Sequence, residues 1–162
     1  MATEDLTTQT FASTLPAAPD LVWRHATRFT GINGELYPWL RMTAPAGTTA
    51  LDPGTVEPGR PLFRSWLLLG GVLPVEYDDL VIAEIEPGRR FLERSSMLTS
   101  RVWQHERTVE PAPGGSRLTD RVSFSPRWEP LRPLMAPVIG LLFRHRHRRL
   151  ARRYSARANA AR

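Results

Sequence analysis

Five segments between Leu62 and Ser125 read as β-strand, and no connection between them is long enough to hold a helix. The segments are 62–69 (LFRSWLLL), 76–86 (EYDDLVIAEIE), 89–98 (RRFLERSSML), 101–110 (RVWQHERTVE) and 116–125 (SRLTDRVSFS). The links are Gly-Gly-Val-Leu-Pro, Pro87-Gly88, Thr99-Ser100 and Pro-Ala-Pro-Gly-Gly. Parallel neighbours need a crossover of a dozen or more residues, so short links of this kind make an antiparallel meander.

The flanks differ from this centre. Residues 6–15 (LTTQTFASTL) alternate and suit a further strand, ended by Pro16 and Pro19. Asp20 then precedes a short helix, LVWRHATRF, which it favours as a cap or through the helix dipole. Residues 30–38 fit a second short helix or a turn weakened by Gly31 and Gly34, and 39–44 (WLRMTA) a short strand. A Pro- and Gly-rich loop spans 45–59. After Pro126 the pattern turns helical. Pro130, Pro133 and Pro137 limit where a helix can start, which predicts one long helix from Val138 to about Ala158. Val138, Leu141, Leu142, His145, Leu150 and Tyr154 recur at three- and four-residue steps and form its apolar stripe, with Arg on the other faces.

A chain of 162 residues is expected to bury roughly 70% of its unfolded surface without a staple. It has no Cys, which excludes a disulfide scaffold, a thiolate zinc site, an iron–sulfur cluster and a Cys nucleophile. His25, His105, His145 and His147 give a metal site little to work with, and the last two project to different sides of a helix. No metal and no cofactor is expected. The acidic, polar start MATEDLTTQT does not read as a signal peptide, and the apolar stretch Leu134–Phe143 is too short to span a bilayer, so a cytoplasmic protein is expected.

Every one of the 22 basic residues is Arg. Residues 1–130 hold 13 Arg against 16 acids, whereas nine Arg and no acid follow Leu131. Such an end can meet nucleic acid or an anionic membrane surface through phosphate charge, although a solvated helix exterior is the commoner role. Nucleic acid is the least expected partner. The residues leave the oligomeric state open.

The turns set which strand residues face each other. The tight turn at 98–101 places Met97 by Arg101, Ser95 by Trp103, Glu93 by His105 and Phe91 by Arg107. The 110–116 loop predicts His105 by Asp120, Trp103 by Val122 and Arg107 by Leu118. Side chains alternate, so Phe91, Met97, Trp103, Leu118, Val122 and Phe124 share one apolar face, and the polar remainder belongs to water. Across that apolar face runs a polar row, Glu93–His105–Asp120, with Arg107 beside it. Buried charges are costly unless paired, and an imidazole between two carboxylates is one solution. The row either satisfies itself or lines a pocket and holds the polar end of an apolar ligand.

Five Trp bring large area with a polar handle. Trp23 suits core packing; Trp39, Trp66 and Trp103 are candidates to line a pocket. The Asp78-Asp79 pair could bind a cation, but such pairs are mostly exposed. P-loop, GxGxxG, HExxH and GxSxG motifs are absent.

The order of elements, together with PAAPDLVW at 16–23, WQHERT at 103–108 followed by GGSRLTDRV, and LLFRHR at 141–146, resembles the START-like or pollen-allergen-like helix-grip fold of the SRPBCC superfamily. The resemblance spans nearly the whole chain. It implies one α+β domain over residues 1–158 with a tail at 159–162. In that fold a curved antiparallel sheet of six or seven strands wraps a long C-terminal helix, with two short helices after the first strand. It also implies an apolar cavity between sheet and helix, as in members that bind lipids, sterols, hormones or polyketides, and in polyketide cyclases. Ligand-binding candidates are therefore Trp39, Trp66, Phe91, Glu93, Met97, Trp103, His105, Arg107, Leu118, Asp120, Val122, Phe124 and Leu142. His105, Glu93 and Asp120 are the candidates for acid–base work should the cavity be a cyclase or dehydratase site. A carrier of an apolar small molecule ranks first, an enzyme second, and an interaction protein using the Arg-rich helix third.

Overall fold

The computed structural model describes residues 5–161 except 52, 53 and 55. Strand β1 (Thr7–Leu15) is followed by helices α1 (Pro19–Ala26) and α2 (Phe29–Leu36), then by β2 (Leu40–Met42), β3 (Pro61–Leu69), β4 (Leu73–Glu86), β5 (Arg90–Met97), β6 (Ser100–Ala112) and β7 (Gly115–Pro126). A single 3₁₀ turn at Glu129–Leu131 leads into α3 (Arg132–Ala160). All neighbours are antiparallel, in the order β1-β7-β6-β5-β4-β3-β2. This is a seven-stranded helix-grip fold. Register shifts in the β3–β4, β4–β5 and β6–β7 pairs bend the sheet into a half-barrel.

Local chemistry explains the boundaries. Gly70 and Gly71, both with positive φ, let β3 and β4 close a tight hairpin. Asp20 does not cap α1: Ala18 holds the N-cap position without a side-chain bond, and Asp20 sits in the first turn, where the dipole favours it. Helix α3 starts at Arg132, earlier than Val138. Pro133 falls in its first turn, where a missing N–H costs nothing, and Pro137 sits inside the helix on an exposed position.

The buried stripe of α3 also differs from the expected one. Val138 and Leu141 are exposed and Leu142 and His145 half-buried, while Met135, Ile139, Phe143, Arg146, His147, Leu150 and Tyr154 are buried. The face was hidden in the pattern because it carries an Arg and a His.

Two apolar clusters form the core. One joins α1, α2 and the C-terminal half of α3 to Leu80, Phe91 and Leu118; the other joins Trp103, Val122 and Phe124 to Met135, Ile139 and Phe143. Trp23 packs in the first, 6.3 Å from Phe91 between ring centres. No helix among the described residues is long and apolar enough to cross a membrane.

Candidate functional site

A cavity of about 930 Å³ lies between the sheet and α3. Its walls come from α2, strands β2 to β6 and the N-terminal half of α3, because α3 crosses directly over β1 and β7 and fills the space above them. Ile32, Leu36, Leu80, Phe91, Met97, Trp103, Ile139 and Phe143 supply most of the apolar lining. Among the polar wall residues, Asp78, Glu93 and His105 are almost wholly buried.

Of the sequence-predicted ligand residues, Trp39, Phe91, Glu93, Met97, Trp103, His105 and Leu142 line this space. Trp39 stands at the rim, 59% exposed. Trp66 does not line it. Alternation on β3 turns Ser65 and Leu67 inward, so Trp66 lies on the outer surface against Tyr77. Leu118, Val122 and Phe124 are buried but stand off the wall, since α1 and α3 pack over them. Arg107 and Asp120 lie behind the wall, in a charge network under α3.

The β5–β6 register is as the tight turn predicts, with Glu93 opposite His105. On β6–β7 the hairpin closes at Ala112–Gly115, two residues tighter than expected, so Asp120 faces Arg107 and Val122 faces His105. A shift of two preserves the face, and the polar row survives as a diagonal. His105 Nε2 donates to Asp120 Oδ1 at 2.8 Å, and Nδ1 lies 3.6 Å from Glu93 Oε2. Phe91 and Phe143 meet the imidazole edge-on, at 5.5 and 5.2 Å between centres.

Asp120 accepts four donors: His105 Nε2, Arg107 Nε at 2.7 Å, Arg107 Nη2 at 2.8 Å and His147 Nε2 at 3.0 Å. Ser13 Oγ bonds the other nitrogen of His147 at 2.7 Å. The far edge of Arg107 forms a two-pronged pair with Glu35 of α2, 2.9 Å on each prong, and Arg146 of α3 joins the same carboxylate. Burial pushes the Asp120 carboxyl up, but Arg107 and then His105 hold it well below the usual carboxylate range. Burial likewise opposes ionisation of Glu35, and Arg107 with Arg146 prevails. Burial disfavours the His105 imidazolium, yet Asp120 and then Glu93 raise its pKa. The network ties α2, β6, β7 and α3 together and fixes the ring that faces the cavity.

Asp78 departs most from expectation. It is 3% exposed and on the cavity wall; only Asp79 is exposed, paired with Arg64 at 2.7 Å. Burial first, and then Glu93, push its carboxyl well above the usual carboxylate range. Alternation along β4 (Asp78, Leu80, Ile82) was the signal that marks it as inward-facing. Glu35 had a similar signal, lying between the buried Ile32 and Leu36 on α2. Arg146 and His147 had none. His145, expected on the buried stripe, is half-buried at the cavity rim and donates from Nε2 to the Tyr37 carbonyl at 2.8 Å.

The model of a domain of unknown function, DUF8410, matches residues 13–154. The chain belongs to the DUF8410 family. No curated protein matches this DUF8410 chain in sequence. Solved structures do match it in shape. A Rhodobacter sphaeroides protein superposes with a TM-score of 0.67 at 17% identity, covering 93% of each chain. A START superfamily protein from Mycobacterium smegmatis gives 0.63 at 11% identity over 93% of this chain and 97% of the other. The di-domain ARO/CYC StfQ from the steffimycin biosynthetic pathway gives 0.65 at 10% identity, covering 95% of this chain and 52% of that one. These likenesses show the SRPBCC-like helix-grip fold for the DUF8410 chain.

Proposed function

We propose that this DUF8410 protein is a cytoplasmic carrier that binds an apolar small molecule, a lipid, polyketide or similar compound, between the sheet and α3. The observation that carries this reading is the cavity itself. Folded interiors are packed nearly as densely as organic crystals, and voids larger than a water are few. A space of about 930 Å³ with mainly apolar walls falls at the upper end of the range for small-molecule sites. The START and ARO/CYC neighbours share the fold that surrounds such a space. Titration with a neutral naphthylamine fluorophore tests the proposal. Blue-shifted, saturable emission is expected, and it should weaken when Ile139→Trp and Leu80→Trp fill the space. A protein that stays folded and leaves the fluorophore dark defeats it.

Acid–base chemistry in the same cavity, of the cyclase or dehydratase kind, is the second reading. It is favoured by His105, Glu93 and Asp78 meeting at an apolar wall. The two readings part at His105→Ala. A carrier keeps its ligand with weakened affinity, whereas an enzyme binds substrate and loses turnover.

The route of entry belongs to the same proposal. On α3, Leu134, Val138, Leu141, Arg148 and Arg152 are exposed at steps of four, three, seven and four residues, running along one side from the cavity rim into the basic end. An apolar stripe continued by arginines suits an anionic lipid surface. It suits nucleic acid less, because Arg146 is already buried against Glu35 and Arg149 donates to the Gly34 carbonyl.

A further inference from the structure

Asp78 and Glu93 are two carboxyls on one apolar wall, 3% and 7% exposed. Asp78 Oδ1 and Glu93 Oε1 are closed off from solvent, and among the described residues no donor reaches either one. Two carboxylates on one buried wall repel each other, and a shared proton would relieve that repulsion; burial and then Glu93 accordingly push the Asp78 carboxyl up. The cations near the site are committed elsewhere: Arg107 bridges Asp120 and Glu35, and Arg146 is bound to Glu35. Of the cationic groups among the described residues, only His105 approaches Glu93, and its other nitrogen is bonded to Asp120.

We propose that the Asp78–Glu93 pair is the subsite that reads the polar end of the ligand, accepting a neutral hydroxyl (an alcohol or phenol) and rejecting a carboxylate. This rests on the carrier reading above and adds the head-group class to it. A hydroxyl donates one hydrogen bond and accepts another, so it can meet both the ionised and the protonated member of such a pair. A ligand carboxylate would bring a third acid beside Asp78 and Glu93, where Arg107 and Arg146 are already paired and the remaining lining arginine, Arg148, is exposed, so its desolvation there would go uncompensated.

The test compares dodecanol with dodecanoate, each displacing the naphthylamine fluorophore at about pH 8, where the free acid is ionised. Dodecanol should displace it at a concentration at least about tenfold lower, the loss expected when one buried polar contact turns unfavourable. The double variant Asp78→Asn/Glu93→Gln should reduce that ratio to about threefold or less. Equal affinities in the natural protein overturn the subsite and leave the carrier reading intact, as does a ratio that the double variant leaves unchanged. Failure of the fluorophore itself to bind overturns both. If the double variant does not fold, the natural protein still decides the matter by infrared spectroscopy. A protonated-carboxyl carbonyl band, absent from Asp78→Asn, should shift on adding dodecanol, and a band that the alcohol does not move overturns the subsite.

Discussion

Arg107 is fully buried and bonded on two sides to carboxylates, so its removal takes the shared guanidinium from two buried charges and leaves Asp120 to its histidines and Glu35 to Arg146. Breaking a buried pair from one side costs about 3–5 kcal/mol, because the partner's desolvation remains when its attraction is gone. Arg107→Met should therefore lower the unfolding free energy by that much, read as a lower denaturant midpoint at unchanged slope. The solvent-exposed Arg64–Asp79 pair is the control, and its loss should change the midpoint little. Asp78 makes the opposite kind of prediction. Its carboxyl holds a proton more tightly in the folded chain than in the unfolded one. The folded state then binds more protons across the interval between the two values, and stability falls as pH rises through it. Asp78→Asn has no proton to lose. It should be more heat-stable than the natural protein at about pH 8, and the gain should vanish at about pH 3, where the carboxyl is protonated in both states. A gain that is the same at both pH values would remove the basis for a shared proton. Asp120 runs the other way: its depressed value gives stability above the ordinary carboxylate range, lost as pH falls through the folded value.

Among the elements, α2 carries two glycines that look alike in sequence and differ in space. A Cβ on Gly34 would meet nothing within 4 Å, so Gly34→Ala gains helix propensity and should stabilise by about 0.5–1 kcal/mol. A Cβ on Gly31 would stand 1.9 Å from the His25 carbonyl oxygen, a backbone atom that cannot swing aside. Gly31→Ala should destabilise the protein, because α1 and α2 have to separate. Thermal unfolding of the two variants should show opposite signs; equal shifts would mean that this close approach is absent. The β-elements were legible because their signals are local: a tight turn fixed the β5–β6 register, and alternation assigned the faces correctly even where the β6–β7 register slipped by two. Helix α3 was legible in existence and in where it ends, but not in where it starts or in its orientation. Its buried face includes Arg146 and His147, whose burial depends on Glu35 and Asp120, 111 and 27 residues away in sequence. No periodicity contains that information, and two exposed apolar residues, Val138 and Leu141, pulled the apparent stripe toward the wrong side.

At the scale of the whole molecule, the charge split of the sequence becomes a polarity of the fold. The sheet and α1–α2 body is slightly acidic, and eight of the nine arginines after Leu131, from Arg132 to Arg157, belong to the helix that also walls the cavity. Leu134, Val138 and Leu141 are each about 60% exposed, more apolar surface than one helix usually leaves in water without a use for it. Each arginine held near an anionic bilayer contributes about 1 kcal/mol, and the attraction is screened within a Debye length. Vesicles containing phosphatidylglycerol should therefore retain the protein at low salt, and pure phosphatidylcholine vesicles should not. Arg148→Gln with Arg152→Gln should weaken retention by about thirtyfold. Val138→Glu should weaken it as well, by taking a charge into the apolar part of the stripe. Retention that ignores lipid charge would remove the arginines from the account, and retention that survives Val138→Glu would mean that this face of α3 is not the one that meets the lipid.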